Sequence, residues 1–133
     1  MAYNIEEDGL IASIIDAKNE NVYFSLYVHT ENKYEKIEEY CADNIHNILD
    51  ILSKYNDKKI IFAGDGAITF KQIILEQIKN AVFAKKLQNN QTSISVGKAA
   101  FDKYLQGFKG NSNSLHPLYL RKSQAERALD GEK

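Results

Sequence analysis

Few residues in this sequence combine the type and the spacing that chemistry needs. The most suggestive are Gly64-Asp65-Gly66-Ala67, which end the apolar run "KIIFA" and open a helix-period pattern. A glycine turn between a strand and a helix start aims backbone N–H groups and the positive end of the helix dipole at one spot, where a phosphate could bind. The motif lacks the lysine of a P-loop and the third glycine of a dinucleotide fingerprint. The same residues therefore also read as a tight bend, with Gly64 and Gly66 supplying conformational freedom and Asp65 capping the helix.

Asp16 and Asp65 both stand at strand ends, where carboxylates can gather around magnesium. A nuclease of that kind needs further carboxylates, and Glu35, Glu38 and Glu39 lie in a polar strand pattern whose charges face water. Asp16 is equally suited to opening a turn. His29, His46 and His116 fall on a strand, a helix and the tail without metal-ligand spacing, so no metal site is expected. Cys41 has no evident histidine partner, there is no Gly-x-Ser-x-Gly elbow, and no catalytic residues are assigned. Tyr23, Tyr27 and Tyr34 offer stacking surfaces, but without a basic groove they read as parts of the sheet faces.

The charge balance supports that restraint. Seventeen basic residues against 18 acidic ones provide no field to attract nucleic acid or an anionic membrane. A single cysteine fits a reducing compartment, and Cys41 reads as a small core residue. No apolar stretch is long enough for a membrane span, and "MAYNIEEDG" lacks the core of a signal peptide, so the expected location is cytoplasmic. One domain is expected over residues 1–133, with a tail at 111–133.

The elements that would position these residues follow from periodicity. "LIASIIDA" closes at the turn-forming "KNEN", and "VYFSLYVHTE" then alternates with Val22, Phe24, Leu26 and Val28 on one face, which predicts a hairpin. Tyr34 to Cys41 completes a three-strand meander. From Asp43, read as a cap, Ile45, Ile48, Leu49 and Leu52 fall at helical spacing, and the helix should end near Tyr55. "KIIFAG" is the continuous apolar run of a strand covered on both faces. One helix should follow it, with Phe70, Ile73, Ile74 and Ile78 on a stripe, then a short strand at "AVFA", residues 81–84. A last helix starts near Ser93, with Gly97, Ala100, Phe101, Tyr104, Leu105 and Phe108 on a shared face and Gly107 or Gly110 as the stop. Leu115 to Leu120, around Pro117, reads as an extended segment laid on the core. The order is βββαβαβα: an α/β fold with a mixed five-stranded sheet, the arrangement of a ribonuclease H-like half-domain of the actin-like ATPase superfamily.

Three segments together carry a resemblance: "IIDAKNENVYFSLY", then "GDGA", then "PLYLRKSQAER". They resemble the TsaB (YeaZ) family, the accessory proteins of tRNA threonylcarbamoyladenosine synthesis, whose hairpin reads Ile/Val-Asp-Ala-Arg-Arg-x-Glu-Val-Tyr. Lys18 and Asn19 stand where that pattern favours arginines, and Asn21 intervenes after Glu20. The opening "AYNI" is also similar, so the resemblance spans nearly the whole chain, but only the C-terminal half of the family, whose members have two ribonuclease H-like halves. A separately expressed or truncated C-terminal domain is the corresponding expectation.

The resemblance implies a non-catalytic scaffold that supports the TsaD threonylcarbamoyl transferase together with TsaE. The older glycoprotease or M22 peptidase label of such proteins finds no support in the residues, since no protease residues are visible. The resemblance places Gly64, Asp65, Gly66 and Ala67 at the wall of an interdomain cleft, where ATP or ADP contact would be weak and would need the N-terminal half. No resident cofactor, no direct nucleic-acid contact and no membrane contact are expected, and uncovered surface could support a homodimer. Two other readings stay open: a nucleotide-binding actin-like kinase half-domain marked by Gly64 to Ala67, and a ribonuclease H-like nuclease using Asp16 and Asp65.

Overall fold

Alternating apolar residues in the first half of the chain close into a mixed sheet, seen in a computed structural model that describes residues 1–31, 33–111, 113 and 116–120. After a 3-10 turn at Ala2–Asn4, strand β1 (Gly9–Asp16) pairs antiparallel with β2 (Asn21–Thr30), from Gly9 opposite His29 to Asp16 opposite Val22. Strand β2 pairs antiparallel with β3 (Lys33–Asn44), with register shifts on either side of Leu26. Strand β4 (Ile60–Ala63) lies parallel to β1, and β5 (Ala81–Phe83) parallel to β4, giving the order β3-β2-β1-β4-β5. This is the five-stranded α/β arrangement that the sequence predicts for a ribonuclease H-like half.

The two faces of the sheet are covered unequally. Leu10, Ala12 and Ile14 of β1 and Val22, Phe24 and Leu26 of β2 meet helix α1 (Ile45–Ser53), which buries Ile45, Ile48, Leu49 and Leu52. The opposite face holds a smaller cluster of Ala2, Ile5, Ile11, Ile61 and Ala63. All four residues of β4 are buried because Ile60 and Phe62 enter the first cluster and Ile61 and Ala63 the second. Its unbroken apolar run is the signature of that two-sided burial.

Several boundaries differ from the periodicity. Strand β3 runs to Asn44 rather than stopping at Cys41, because Asp43 and Asn44 continue the ladder opposite Val22 and Asn21. The cap of α1 is therefore Asn44, whose side chain accepts from the His46 N–H at 3.0 Å, and not Asp43. Asp43 instead accepts from the Asn44 N–H and from Asn47 Nδ2. Cys41 is half-buried at the margin of the main core.

The expected helix after β4 is two helices, α2 (Asp65–Thr69) and α3 (Lys71–Gln77), separated at Phe70 with φ −101° and ψ 17°. Just before the break, the Thr69 hydroxyl donates to the Asp65 carbonyl at 3.1 Å, a side-chain back-bond of the kind that bends helices. The predicted stripe survives, since Ile74 and Ile78 are buried with Phe70 and Ile73 packed beside them. Helix α4 (Ser93–Leu105) begins as expected behind a Thr92–Ser95 capping box. It stops at Gly107, where φ is +86° and the Gly107 and Phe108 N–H groups return to the Tyr104 and Lys103 carbonyls. Its apolar face, however, is turned to solvent. Leu118 and Tyr119 are 68% and 84% exposed, so that part of the tail is not laid on the core. Leu115, and the end of the "PLYLRKSQAER" segment from residue 121, lie outside the described residues.

The main core should dominate stability. Leu49→Ala is expected to cost about 3 kcal/mol in urea unfolding, and Ile68→Ala, at an exposed helix position, no more than about 0.5 kcal/mol.

Candidate functional site

The parallel pairing of β4 with β1 brings the glycine turn directly onto the last residues of β1. Gly64 has φ +110° and ψ 167°, a conformation that side-chain-bearing residues rarely adopt. A Cβ on Gly64 would lie 2.0 Å from the Ile14 carbonyl oxygen, and one on Gly66 would lie 2.7 Å from Ile14 Cγ2. Both glycines are therefore required by close backbone approach. Ala67 is buried in the main core.

The polar groups of the turn are bound internally. Asn89, 6% exposed, accepts from the Gly64 N–H at 2.7 Å through Oδ1 and donates to the Gly64 carbonyl at 3.1 Å through Nδ2. The N-cap of α2 is Gly64 rather than Asp65. Asp65 is the first helical residue, and its Oδ1 accepts from the Gly66 N–H at 2.8 Å and the Asp16 N–H at 3.1 Å. A carboxylate of the protein thus sits where the turn presents donors and the positive end of α2.

The Asp65 carboxylate reaches Asp16 at its backbone N–H, and the Asp16 carboxylate is engaged elsewhere. Asp16 accepts from the Lys18 N–H at 2.8 Å and from Lys18 Nζ at 3.0 Å, and these two bonds, the backbone one foremost, hold its carboxyl below the usual carboxylate range. It thereby anchors a hairpin turn in which Lys18, Asn19 and Glu20 all have positive φ. Such backbone costs roughly 1–2 kcal/mol per residue without glycine. It is held by Ala17 N–H donating to the Asn21 carbonyl, and by Asn21 Nδ2 donating to the Lys18 and Asn19 carbonyls.

The glutamates do not complete a metal site. Glu38 accepts from the Tyr55 hydroxyl and Glu39 from Lys36 Nζ, both on β3, and no group of three His, Cys, Asp or Glu residues comes together among the described residues. His29 is buried, with Nδ1 3.1 Å from the Glu7 carbonyl and 3.4 Å from Asp8 Oδ1, and its ring stacks on Tyr34. Burial, aided by Asp43 and Glu38, pushes the Cys41 thiol up, away from the thiolate that nucleophilic chemistry needs.

Sequence reasoning missed the asparagines. Asn4 donates to the Gln88 and Asn90 carbonyls and accepts from the Thr92 hydroxyl, fixing the loop that delivers Asn89 to Gly64. "QNNQT" carries the composition of an ordinary loop, and no spacing links it to Gly64. Beside this network, a cleft of about 250 Å³ is lined by Tyr3, Glu6, Tyr34, Lys98, Phe101 and Asp102. Burial and the neighbouring Asp102 push the Tyr3 phenol up to about 12.

The fold and the turn define one class: a mixed five-stranded α/β half-domain with a glycine turn at the C-terminal end of its parallel strands. Its structural neighbours include YeaZ and a protein with similarity to it. A Pseudomonas aeruginosa protein described as uncharacterized with similarity to peptidase YeaZ superposes with a TM-score of 0.60, and YeaZ from Pseudomonas aeruginosa with 0.55. Each is 17% identical, and each match covers 90% of this chain and 53% of the other. The chain therefore spans about half the length of these structures. No family model matches the sequence, and no curated protein matches it. No helix among the described residues is long and apolar enough to cross a membrane.

Removing the clasp should be costly. Asn89→Ala leaves both polar groups of Gly64 without their partner and is expected to lose about 2–3 kcal/mol in urea unfolding. Gly64→Ala should lose at least as much, because the new methyl group meets the Ile14 carbonyl.

Proposed function

We propose that this chain is a non-catalytic TsaB-type domain that acts by protein contact in tRNA threonylcarbamoyladenosine modification, supporting a TsaD-like transferase together with a TsaE-like ATPase. The observation that carries the reading is the likeness of nearly the whole chain to the YeaZ fold, joined to the "IIDAKNENVYFSLY" and "GDGA" segments at the β1–β2 hairpin and the β4–α2 turn. The polar bonding of the site supports a structural role as well. Asn89 and Asp65 occupy the Gly64 and Gly66 N–H groups that a phosphate would use. On this reading Gly64 to Ala67 form a bend with a residual, weak preference for anions, and nucleotide contact requires a second half-domain.

Deleting the gene is expected to deplete threonylcarbamoyladenosine from digested tRNA, read by nucleoside mass spectrometry; undiminished modification would sink the proposal. Titrating magnesium-ATP into the isolated chain should give no saturable heat up to about millimolar nucleotide. Saturable binding would instead favour the kinase-like reading of the turn.

A further inference from the structure

Between the N-terminal segment and helix α4 lies the cleft of about 250 Å³, away from the Gly64 turn, and three separate elements build it. Tyr3 and Glu6 come from the N-terminal segment and Tyr34 from the start of β3. Lys98, Phe101 and Asp102 come from α4, where spacings of three and four residues put them on one side of the helix. The volume suits a small head group and falls below that of pockets enclosing larger ligands.

The aromatic walls are held in place. The Tyr34 ring stacks on Tyr3 with centroids 4.2 Å apart and on the buried His29 at 4.3 Å, and its hydroxyl donates to the Ile5 carbonyl at 2.8 Å. Tyr27 meets the Tyr3 ring edge-on. The Thr92 hydroxyl, donating to Asn4, keeps the start of α4 beside them. Burial, and after it the Asp102 carboxylate, push the Tyr3 phenol up to about 12, so that ring stays neutral.

The charges of the cleft do not balance. Lys98 Nζ donates to Glu6 at 2.9 Å, whereas Asp102 enters no ion pair among the described residues. Two carboxylates therefore share the cleft with one ammonium, next to three aromatic rings. Ring faces attract cations electrostatically, and an alkylated ammonium combines positive charge with an apolar surface that rings can cover.

We propose that this cleft binds an alkylated ammonium group, with the rings of Tyr3, Tyr34 and Phe101 against its methyl groups and Asp102 as its counter-ion. Lys98 is the internal competitor, since its ammonium already satisfies Glu6. A nucleotide is a poorer occupant, because its phosphates would approach two carboxylates. An uncharged apolar group would leave Asp102 without a cation.

Titration of the whole chain, carrying carbon-13 in its tyrosine and phenylalanine rings, with choline tests the site by nuclear magnetic resonance. The expected result is saturable shifts of the Tyr3, Tyr34 and Phe101 rings, with a dissociation constant of about millimolar order. The neutral isostere 3,3-dimethylbutan-1-ol should bind at least about fivefold more weakly. Asp102→Asn and Phe101→Ala should each weaken choline at least about fivefold, whereas Lys98→Gln, which frees Glu6, should tighten it about threefold. Phe101 and Lys98 are exposed, so circular dichroism and the unfolding midpoint should show those two variants folded. Two further arms separate the sources of such a group: a short glycine peptide carrying one trimethyllysine, and the same peptide with unmodified lysine. Tighter binding of the methylated peptide than of choline assigns the site to a protein side chain, and equal binding assigns it to a free ammonium. Shifts that sodium chloride reproduces overturn the proposal. So do equal affinities for choline and its neutral isostere, tighter binding of adenosine monophosphate, or a choline affinity that Lys98→Gln lowers.

Discussion

Where the turn after β4 crosses the end of β1, the two backbones leave no room for a side chain, and much of the molecule is arranged around that crossing. Gly64 lies so near the Ile14 carbonyl that even a methyl group would overlap it. Once the backbones are that close, their polar groups lose access to water and need internal partners. Asn89 supplies one pair, and the Asp65 carboxylate joins Gly66 to Asp16. Three separate segments, the β1–β2 hairpin, the β4–α2 turn and the loop before α4, thereby converge on one corner of the sheet. The same bonds explain why a turn of phosphate-binding appearance is already filled by the protein's own groups.

The two sheet faces are held by different physics. One is a conventional apolar core, in which α1, α3 and the interior of the meander exclude water together. The other is thin, and α4 is tied to it by a cap, a buried serine and an exposed ion pair. Surface ion pairs contribute little to stability, so the position of α4 depends chiefly on the Asn4–Thr92 network and on Ser95. That leaves the apolar side chains of α4, Ile94, Phe101, Tyr104 and Leu105, exposed.

This division bears on the functional reading. Catalysis needs chemical groups assembled in one place, and fold alone does not supply them. Here Asp16 and Asp65 meet, but they meet as anchors of a strained hairpin and a tight turn. The glutamates that could have joined them lie along β3, paired with Lys36 and Tyr55. The polar residues of the site are invested in holding backbone.

Local chemistry determined a good deal of this protein in the sequence itself. The alternation of β2, the unbroken run of β4, the Ile45-Ile48-Leu49-Leu52 stripe and the start of α4 are all legible, because each depends on a side-chain period that neighbouring residues impose. The resemblance in "IIDAKNENVYFSLY" and "GDGA" likewise pointed to the fold that its structural neighbours share. Tertiary structure decided the rest. The extension of β3 to Asn44 came from pairing with Asn21, and the transfer of a cap from Asp43 to Asn44 followed from it. The clasp of Asn89 on Gly64 joins residues that no local period connects. The outward turn of α4 was equally invisible, since an apolar stripe records that a helix has a face to cover and carries no information about what covers it.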